Sequence, residues 1–218
     1  MSVWVVLAAA GRGERLGDDR PKAFARLGDL PLVAEPLRRL DDSDWIDGIV
    51  VAAPPGWEEP CIVLAEEIGA GKVSAVVTGG ETRAASVRTA LADVPEDAAV
   101  VVVHDAARPL VSDDVLGRVL APLSEGYDGA VPVLPVSDTV KRVRGTEIVE
   151  TVERADLVVS QTPQAFLADA LRRAAAGEST DCSALVEQQG GRIKAVEGDP
   201  RLLKITSPED LQLVSAWL

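Results

Sequence analysis

The first apolar segment of the chain runs directly into a turn built from small residues. Residues 3–7 are uncharged and rich in β-branched side chains, which predicts a buried strand. The segment 8–17 then reads Ala-Ala-Ala-Gly-Arg-Gly-Glu-Arg-Leu-Gly. Gly11 and Gly13 allow turns in which several backbone N–H groups face one side, and such a concave set of donors binds an anion. The sequence therefore predicts a phosphate-binding loop after the first strand.

Basic side chains surround this loop. Arg12 and Arg15 lie within it, and Lys22 follows Pro21 shortly afterwards, so fixed positive charge is available to phosphate oxygens. The spacing is neither that of a dinucleotide fingerprint, because position 16 is Leu, nor that of a P-loop, because Lys22 does not follow Gly. A pair of glycines alone is more often an ordinary turn. Their occurrence together with Arg15 and Pro21-Lys22 favours binding.

The overall charge excludes two classes of partner. The formal net charge is −13, which argues against nucleic acid and against an anionic membrane surface. With 218 residues, 47% of them hydrophobic, we expect a single domain over 1–218. The two cysteines lack metal-ligand spacing, and no apolar run approaches transmembrane length. We therefore expect a cytoplasmic protein with reduced thiols.

Strand and helix patterns alternate along the chain. The patterns predict further strands at 48–53, 72–78, 100–103, 129–136 and 193–196, and helices at 31–40, 57–68, 86–91, 112–120, 166–176 and from 207 onwards. This order predicts an α/β fold with a single Rossmann-like, doubly wound and mostly parallel sheet, in which ligands bind beyond the carboxyl ends of the strands. Pro132 and Pro135 suggest that the 129–136 strand lies at a sheet edge or contains a bulge.

The segment 137–160 interrupts this alternation. Short strands at 139–143 and 148–152 flank Arg144-Gly145-Thr146, which predicts a protruding β-hairpin arm. The arm is rich in charge and has too few apolar residues to bury a face of its own. We expect it to mediate dimerisation, and a mobile surface flap is the alternative.

Candidate polar residues follow the strand at 100–103. Asp105 lies where a carboxylate can help to hold Mg²⁺ together with substrate phosphates, although a loop hydrogen bond would require the same residue. His104 is the only histidine, so a histidine-based metal site is excluded and a structural role is favoured. Arg108 is suited to grip a phosphate or to form a surface ion pair.

A second glycine turn and one lysine complete the candidates. Gly79 and Gly80, with Ser86 following, suit a pocket for a nucleobase or ribose, but an ordinary strand-to-helix turn uses the same residues. Lys204 lies between apolar neighbours, where it is either solvated or directed into a site.

Taken in order, these segments resemble one family, the 2-C-methyl-D-erythritol 4-phosphate cytidylyltransferases of the non-mevalonate isoprenoid route. The glycine loop by itself is similar only to the wider sugar nucleotidyltransferase signature. The resemblance extends nearly end to end and rests on the glycine loop with Pro21-Lys22, Gly79-Gly80 with Arg83 and Ser86, and the segments 104–109, 137–141, 161–164, 180–181 and 204–206. Cys182 stands where the family usually has an acid, and Ala8 where many members have Pro.

The resemblance implies transfer of CMP from CTP to 2-C-methyl-D-erythritol 4-phosphate, with release of pyrophosphate and with Mg²⁺ present. It implies a homodimer in which the 137–160 arm completes the partner's active site. The implied catalytic residues are Arg15, Lys22, Arg154 and Lys204. The implied substrate-binding residues are Ala9, Ala10, Gly11, Gly13, Gly79, Gly80, Ser86, Asp105, Arg108, Thr139, Thr162 and Thr180, with Asp105 also at the metal.

Two other functions stay open at this point. One is a cytidylyltransferase for another polyol phosphate such as ribitol 5-phosphate, although those relatives tend to have Ser-Val where this chain has Ala106-Ala107. The other is a non-catalytic nucleotide-binding module. The presence of Arg15, Lys22, Asp105 and Lys204 counts against the second, since such a module does not need charges at a transferred phosphoryl group.

Overall fold

The computed structural model describes residues 1–11, 13, 20–177, 179 and 181–218. Two predicted site residues, Arg15 and Thr180, lie outside the described residues. The strands in the described part of the chain are β1 (Val3–Ala8), β2 (Arg26–Leu27), β3 (Leu30–Pro31), β4 (Gly48–Ala53), β5 (Val73–Thr78), β6 (Val100–Asp105), β7 (Gly129–Pro135), β8 (Val140–Arg144), β9 (Glu147–Val152), β10 (Val158–Ser160), β11 (Gln164–Leu167) and β12 (Ile193–Glu197). The α-helices there are α1 (Ala34–Asp42), α2 (Glu58–Glu67), α3 (Arg83–Leu91), α4 (Asp113–Leu120), α5 (Ala168–Ala174), α6 (Cys182–Gln188) and α7 (Pro208–Ser215).

A mixed, mostly parallel sheet forms the centre of the molecule. β5, β4, β1 and β6 follow one another as parallel neighbours, and β7 pairs in parallel with β12. β11 lies between β6 and β7 and is antiparallel to both, while β10 is antiparallel to β7. The predicted Rossmann-like, mostly parallel α/β fold is confirmed.

Helices cover both faces of this sheet. Successive residues of a strand point to opposite faces, so Val5 packs with α1, α2 and α4 whereas Val6 packs with α3, α5 and α6. β4 and β6 are buried along their whole length, which is why residues 48–53 and 100–103 read as uninterrupted apolar runs in the sequence. The doubly wound arrangement leaves the carboxyl edge of the central strands accessible.

In the second half of the sheet, the edge position suggested for β7 and the helix start at residue 166 were wrong. β7 is not at an edge, because β12 flanks it on one side and β10 and β11 flank it on the other. Pro132 lies where the pairing of β7 passes from β11 to β10, so its missing N–H interrupts neither ladder, and its carbonyl accepts the Gln161 N–H at 2.8 Å. Phe166 lies in β11 rather than in a helix, and the helix begins at Ala168. Complete burial of Phe166 outweighs the helical pattern of its neighbours.

The predicted hairpin is present as β8 and β9, which pair with each other as a separate two-stranded sheet. Residues 141–151 of this hairpin are all exposed. α7 begins as predicted, with Pro208 in its first turn and a capping box between Ser207 and Asp210. Among the described residues, no helix combines the length and apolarity needed to cross a membrane.

Candidate active site

A cleft of about 840 Å³ opens at the carboxyl ends of β1, β4, β5 and β6. Ligands of parallel α/β sheets bind at this edge, because the loops after neighbouring strands converge there. The cleft brings together nine residues predicted from sequence, namely Ala9, Ala10, Gly11, Lys22, Gly79, Gly80, Ser86, Asp105 and Lys204.

The turn that carries Lys22 packs against the glycine loop. Gly13 has a φ of +70°, and a Cβ there would lie 2.5 Å from the Cβ of Lys22, so only glycine permits this approach. Lys22 begins a short 3-10 turn that is closed by a hydrogen bond from Phe24 N–H to Pro21 O at 2.8 Å. Buried Phe24 anchors the turn in the core. The anchored turn thus holds Lys22 at the cleft, beside Ala9, Ala10 and Gly11 of the glycine loop.

The second glycine turn is held by Ser86. The Ser86 hydroxyl accepts the Gly80 N–H at 3.1 Å and donates to the Thr82 carbonyl at 3.0 Å. A Cβ at position 79 would lie 2.2 Å from the Cβ of Ala10, so the two glycine-containing loops touch because residue 79 is glycine. The turn therefore forms a fixed wall of the cleft beside the first loop.

Asp105 lies at the centre of an ion cluster. Arg83 Nε contacts Asp105 Oδ1 at 2.7 Å, and Lys204 Nζ contacts Asp105 Oδ2 at 2.7 Å. Burial of Asp105 favours its neutral form, but the charges of Arg83 and Lys204 outweigh burial and hold the pKa of this carboxyl well below its usual range. Burial likewise opposes the charge on Arg83, yet Asp105 and Cys182 raise the pKa of Arg83 above its usual value. The carboxylate is ionised and holds two cations at the cleft.

His104 precedes Asp105 in β6, so its side chain points to the opposite face of the strand, where it is fully buried. Its Nδ1 is 3.2 Å from Thr162 Oγ1, and its Nε2 is 2.9 Å from the carbonyl oxygen of Arg108. The Thr162 hydroxyl in turn accepts the Asp105 N–H at 3.0 Å. Burial lowers the pKa of His104 to about 4, so the imidazole is neutral near pH 7.

Some predicted residues lie beside the cleft rather than on its wall. Arg108 donates to the Leu202 carbonyl at 2.6 Å, and its Nε is buried with no hydrogen-bond partner among the described residues. Thr162 is buried, and Thr139 is exposed at the base of the arm. Arg154 is exposed and donates to the carbonyl oxygens of Val136 and Ser137. Within one chain, the residues predicted to bind the acceptor are therefore more dispersed than those predicted to bind the nucleotide.

Sequence reasoning assigned no role to Arg83 or Trp57. Arg83 was quoted only as part of a motif, although it is the basic residue nearest to the second glycine turn and contacts both Asp105 and Cys182 Sγ, the latter at 3.4 Å. Trp57 lines the cleft, and its ring lies 4.6 Å from that of Phe24. A tryptophan directly after Pro54-Pro55-Gly56 at a strand end was the available signal.

The carboxylate of Asp105 could supply only part of a binding site for a divalent metal ion. The described residues contain no group of three His, Cys, Asp or Glu side chains that could hold a metal. Asp105 faces the cleft, and a carboxylate that accepts two hydrogen bonds retains free lone pairs. Mg²⁺ usually keeps one or two protein carboxylates and takes its remaining ligands from phosphates and water. The residues present fit an ion of that kind and do not fit a cage made of protein ligands alone.

A doubly wound sheet with a glycine loop and converging cations at its carboxyl edge is the arrangement of a nucleotidyltransferase. The chain belongs to the 2-C-methyl-D-erythritol 4-phosphate cytidylyltransferase (IspD) family, whose model matches residues 3–218.

Similar proteins match over almost their full length. The 2-C-methyl-D-erythritol 4-phosphate cytidylyltransferase of Saccharopolyspora erythraea is 44% identical, with 100% of both chains covered. That of Nocardia farcinica is 43% identical and covers 100% of this chain and 94% of its own. The crystal structure of the enzyme from Thermus thermophilus matches with a TM-score of 0.79 at 36% identity, over 97% of this chain and 96% of that chain.

Proposed function

We propose that this protein transfers CMP from CTP to 2-C-methyl-D-erythritol 4-phosphate and releases pyrophosphate, in isoprenoid precursor synthesis. Family membership over 3–218 supports the reaction. The observation that carries it to this chain is that Lys22, Lys204, Asp105 and the Gly79-Gly80 turn line the same cleft. The turn offers a compact wall for a nucleoside, and the cations lie where a phosphate chain must extend.

The glycine loop and the second glycine turn form the proposed nucleotide site. Cytidine lies against Gly79, Gly80 and Ser86, and the triphosphate lies along the glycine loop, beside Ala9, Ala10, Gly11 and Gly13. Arg15 and Lys22 stabilise the charge on the α-phosphoryl group. Positively charged donors of this type are most effective where charge grows during the reaction.

The acceptor site is formed by the opposite side of the cleft. Lys204 and Arg154 position the polyol phosphate, with Arg108, Thr139, Thr162 and Thr180 around it. The buried and unpartnered Nε of Arg108 supports an anionic ligand here, because buried donors are rarely left without an acceptor. Arg154 comes from the 137–160 arm of a second subunit in a homodimer. The exposure of the whole arm supports this arrangement, because its apolar side chains, Val143 and Ile148 among them, lack cover within the described chain.

The reaction requires no covalent enzyme intermediate. A phosphate oxygen of the acceptor attacks the α-phosphorus of CTP, a new phosphorus–oxygen bond forms, and the bond from the α-phosphorus to the bridging oxygen breaks. The electron pair of that bond leaves with pyrophosphate. Both reactants are anions, so the main tasks of the protein are to align them and to neutralise charge. Lys22, Arg15 and Lys204 perform the second task.

Mg²⁺ and the cytoplasmic location belong to the same proposal. Asp105 would hold the ion together with phosphate oxygens, and the bound ion supplies further neutralisation of the triphosphate. A net charge of −13 and the lack of a membrane-spanning helix in the described residues are consistent with a cytoplasmic enzyme.

The deciding experiment measures pyrophosphate release with CTP and a panel of polyol phosphates. We expect 2-C-methyl-D-erythritol 4-phosphate to give the highest kcat/KM. A higher kcat/KM with ribitol 5-phosphate would replace the proposed acceptor. Binding of CTP without pyrophosphate release on any acceptor would instead identify a non-catalytic nucleotide-binding module.

A further inference from the structure

His104 connects backbone and side-chain atoms of predicted site residues although it does not line the cleft. Its side chain is 0% exposed, and its two ring nitrogens face the Thr162 hydroxyl and the Arg108 carbonyl. The Thr162 hydroxyl also accepts the Asp105 N–H. His104 thus lies in the middle of a hydrogen-bonded chain that runs from Asp105 to Arg108.

Valence fixes the direction of every hydrogen bond in this chain. A carbonyl oxygen only accepts, so Nε2 of His104 carries the hydrogen that it donates to Arg108 O. In a neutral imidazole the other nitrogen, Nδ1, is then an acceptor, and the Thr162 hydroxyl donates to it. That hydroxyl has one hydrogen and accepts from Asp105 N–H with a lone pair. Thr162 therefore has no hydrogen left with which to bind a phosphate.

Strand register explains why Thr162 reaches Asp105. The antiparallel pairing of β11 with β6 ends where Gln164 lies opposite Val103. Continued by two residues, the same register places Thr162 opposite Asp105. There the Thr162 hydroxyl, rather than a strand carbonyl, accepts the Asp105 N–H. The end of β6 is held by a side chain that depends on His104 for its orientation.

The same turn also supports the segment that carries Lys204. Arg108 N–H donates to Asp105 O at 2.9 Å, which closes the turn from 105 to 108. Ile205 N–H donates to Ala107 O at 2.8 Å, and the Arg108 guanidinium donates to Leu202 O at 2.6 Å. His104 bonds the last carbonyl of this turn from inside the protein.

We propose that His104 is a positioning residue which, as the Nε2–H tautomer, orients Thr162 and fixes the 105–108 turn, and so places Asp105, Arg108 and Lys204 for the acceptor. Its effect on turnover rests on the proposed function, whereas the hydrogen-bonded chain itself does not. Thr162 then acts through the Asp105 backbone and not as a hydroxyl donor to the acceptor phosphate.

The first test is spectroscopic and uses the unmodified protein. Because the chain has a single histidine, ¹⁵N–¹H correlation spectra of the imidazole report on His104 without assignment. At pH ~7.5 we expect the pattern of a neutral ring protonated at Nε2, with Nδ1 unprotonated. A ring protonated at Nδ1, or an equal mixture of both tautomers, overturns the proposal.

The second test uses variants that each break one part of the hydrogen-bonded chain. His104→Asn can still accept from Thr162 but cannot reach the Arg108 carbonyl, and Thr162→Val removes the hydroxyl at nearly constant volume. We expect both to lower kcat/KM for the polyol phosphate by about 10- to 100-fold, because small displacements of reacting groups are costly. The KM for CTP stays within about twofold, since the hydrogen bonds of Ser86 that hold the Gly79-Gly80 turn involve neither His104 nor Thr162. Thr162→Ser, which keeps the hydroxyl, recovers most of the loss of Thr162→Val.

Ser43→Ala is the matched control for stability. Ser43 is buried and donates to Asp113 far from the cleft, so its loss lowers the melting temperature without lowering kcat/KM. If Thr162→Val retains wild-type kcat/KM, or if its KM for CTP rises in parallel, the positioning role is refuted. If the wild-type protein releases no pyrophosphate with any polyol phosphate, the proposed function fails, while the tautomer measurement still decides the hydrogen-bonded chain.

Discussion

Arg83, the first residue of α3, is joined to Asp105, the last residue of β6, by a contact of 2.7 Å between Nε and Oδ1. Lys204 Nζ contacts the other oxygen of this carboxylate, Oδ2, at 2.7 Å. Three segments that are distant in sequence therefore meet at one buried carboxylate. Because an unpaired charge is costly to bury, this cluster both requires and fixes its two cations.

Replacing Arg83 by Gln is expected to destabilise the protein. Asp105 would retain Lys204 as a partner but lose the more buried of its two cations, and we expect a loss of about 2–3 kcal/mol in the free energy of unfolding. Urea denaturation measures this change. Arg142→Gln removes the exposed Arg142–Glu150 pair and should leave stability unchanged. Equal midpoints for both variants would contradict the structural role of Arg83.

Replacing Gly79 by Ala should weaken nucleotide binding. The new Cβ would lie 2.2 Å from that of Ala10, so the two loops must separate, and we expect the KM for CTP to rise at least about tenfold. Gly71→Ala is the control, because a Cβ at position 71 has no atom within 4 Å. A normal KM in Gly79→Ala would show that the contact between the loops does not shape the site.

The same turn is expected to select CTP over UTP, ATP and GTP. We expect the turn from Gly79 to Ser86 to form a small pocket that excludes purines, and polar groups that pair with cytosine are left unpaired with uracil. Steady-state kinetics with the four nucleotides tests this selection. Comparable kcat/KM values for CTP and UTP would refute hydrogen-bonded readout of the base.

Removal of the proposed phosphate-binding charges should affect turnover and not folding. We expect Lys22→Ala and Arg15→Ala each to lower kcat by about 10²–10³, the usual cost of one preorganised charge at a transition state. Arg26→Ala, which removes an exposed cation paired with Asp29, serves as the control and should be as active as wild type. Turnover near the wild-type level in both site variants would contradict the assigned roles.

Stability should depend on pH through His104. Its folded pKa of about 4 lies below the value of about 6.5 for an unfolded chain. Between these values the unfolded state binds a proton that the folded state does not, so the free energy of unfolding falls as pH falls, by at most about 1.4 kcal/mol per pH unit. Above pH ~7 this contribution is fully present and constant.

Denaturation at several pH values between about 7.5 and about 5 measures that slope. His104→Gln carries no titratable group at this position, and we expect its stability to be nearly independent of pH over the same interval. Because the chain has one histidine, few other groups titrate there. An identical slope in the variant would assign the effect to other groups.

The arm is expected to complete the active site of a second subunit. Lys22→Ala and Arg154→Ala are each expected to be inactive alone. After subunit exchange, about half of the dimers are mixed, and each mixed dimer has one intact site if Arg154 acts in trans, so activity returns to about a quarter of wild type. No recovery after verified exchange would place Arg154 in the site of its own subunit.

The nucleotide side of the site could be predicted because its residues are local motifs. Gly11 and Gly79 closely follow the strands β1 and β5, Ser86 lies at the start of the helix that comes next, and parallel strands bring such loops to one edge. Contacts between segments that are distant in sequence leave no comparable pattern in the sequence. The pairing of Arg83 with Asp105 spans α3 and β6, and the bond from Thr162 to Asp105 depends on the register between β11 and β6.

By itself the sequence determined the alternation of β1, β4, β5, β6 and β7 with helices, the hairpin arm and the family, because strand periodicity, glycine turns and ordered motifs are properties of neighbouring residues. Only the tertiary structure decided that β7 is interior, that Phe166 extends β11 and that His104 bonds across the 105–108 turn. These features depend on which segments pack against one another. Burial and pairing between distant segments then outweigh local preference.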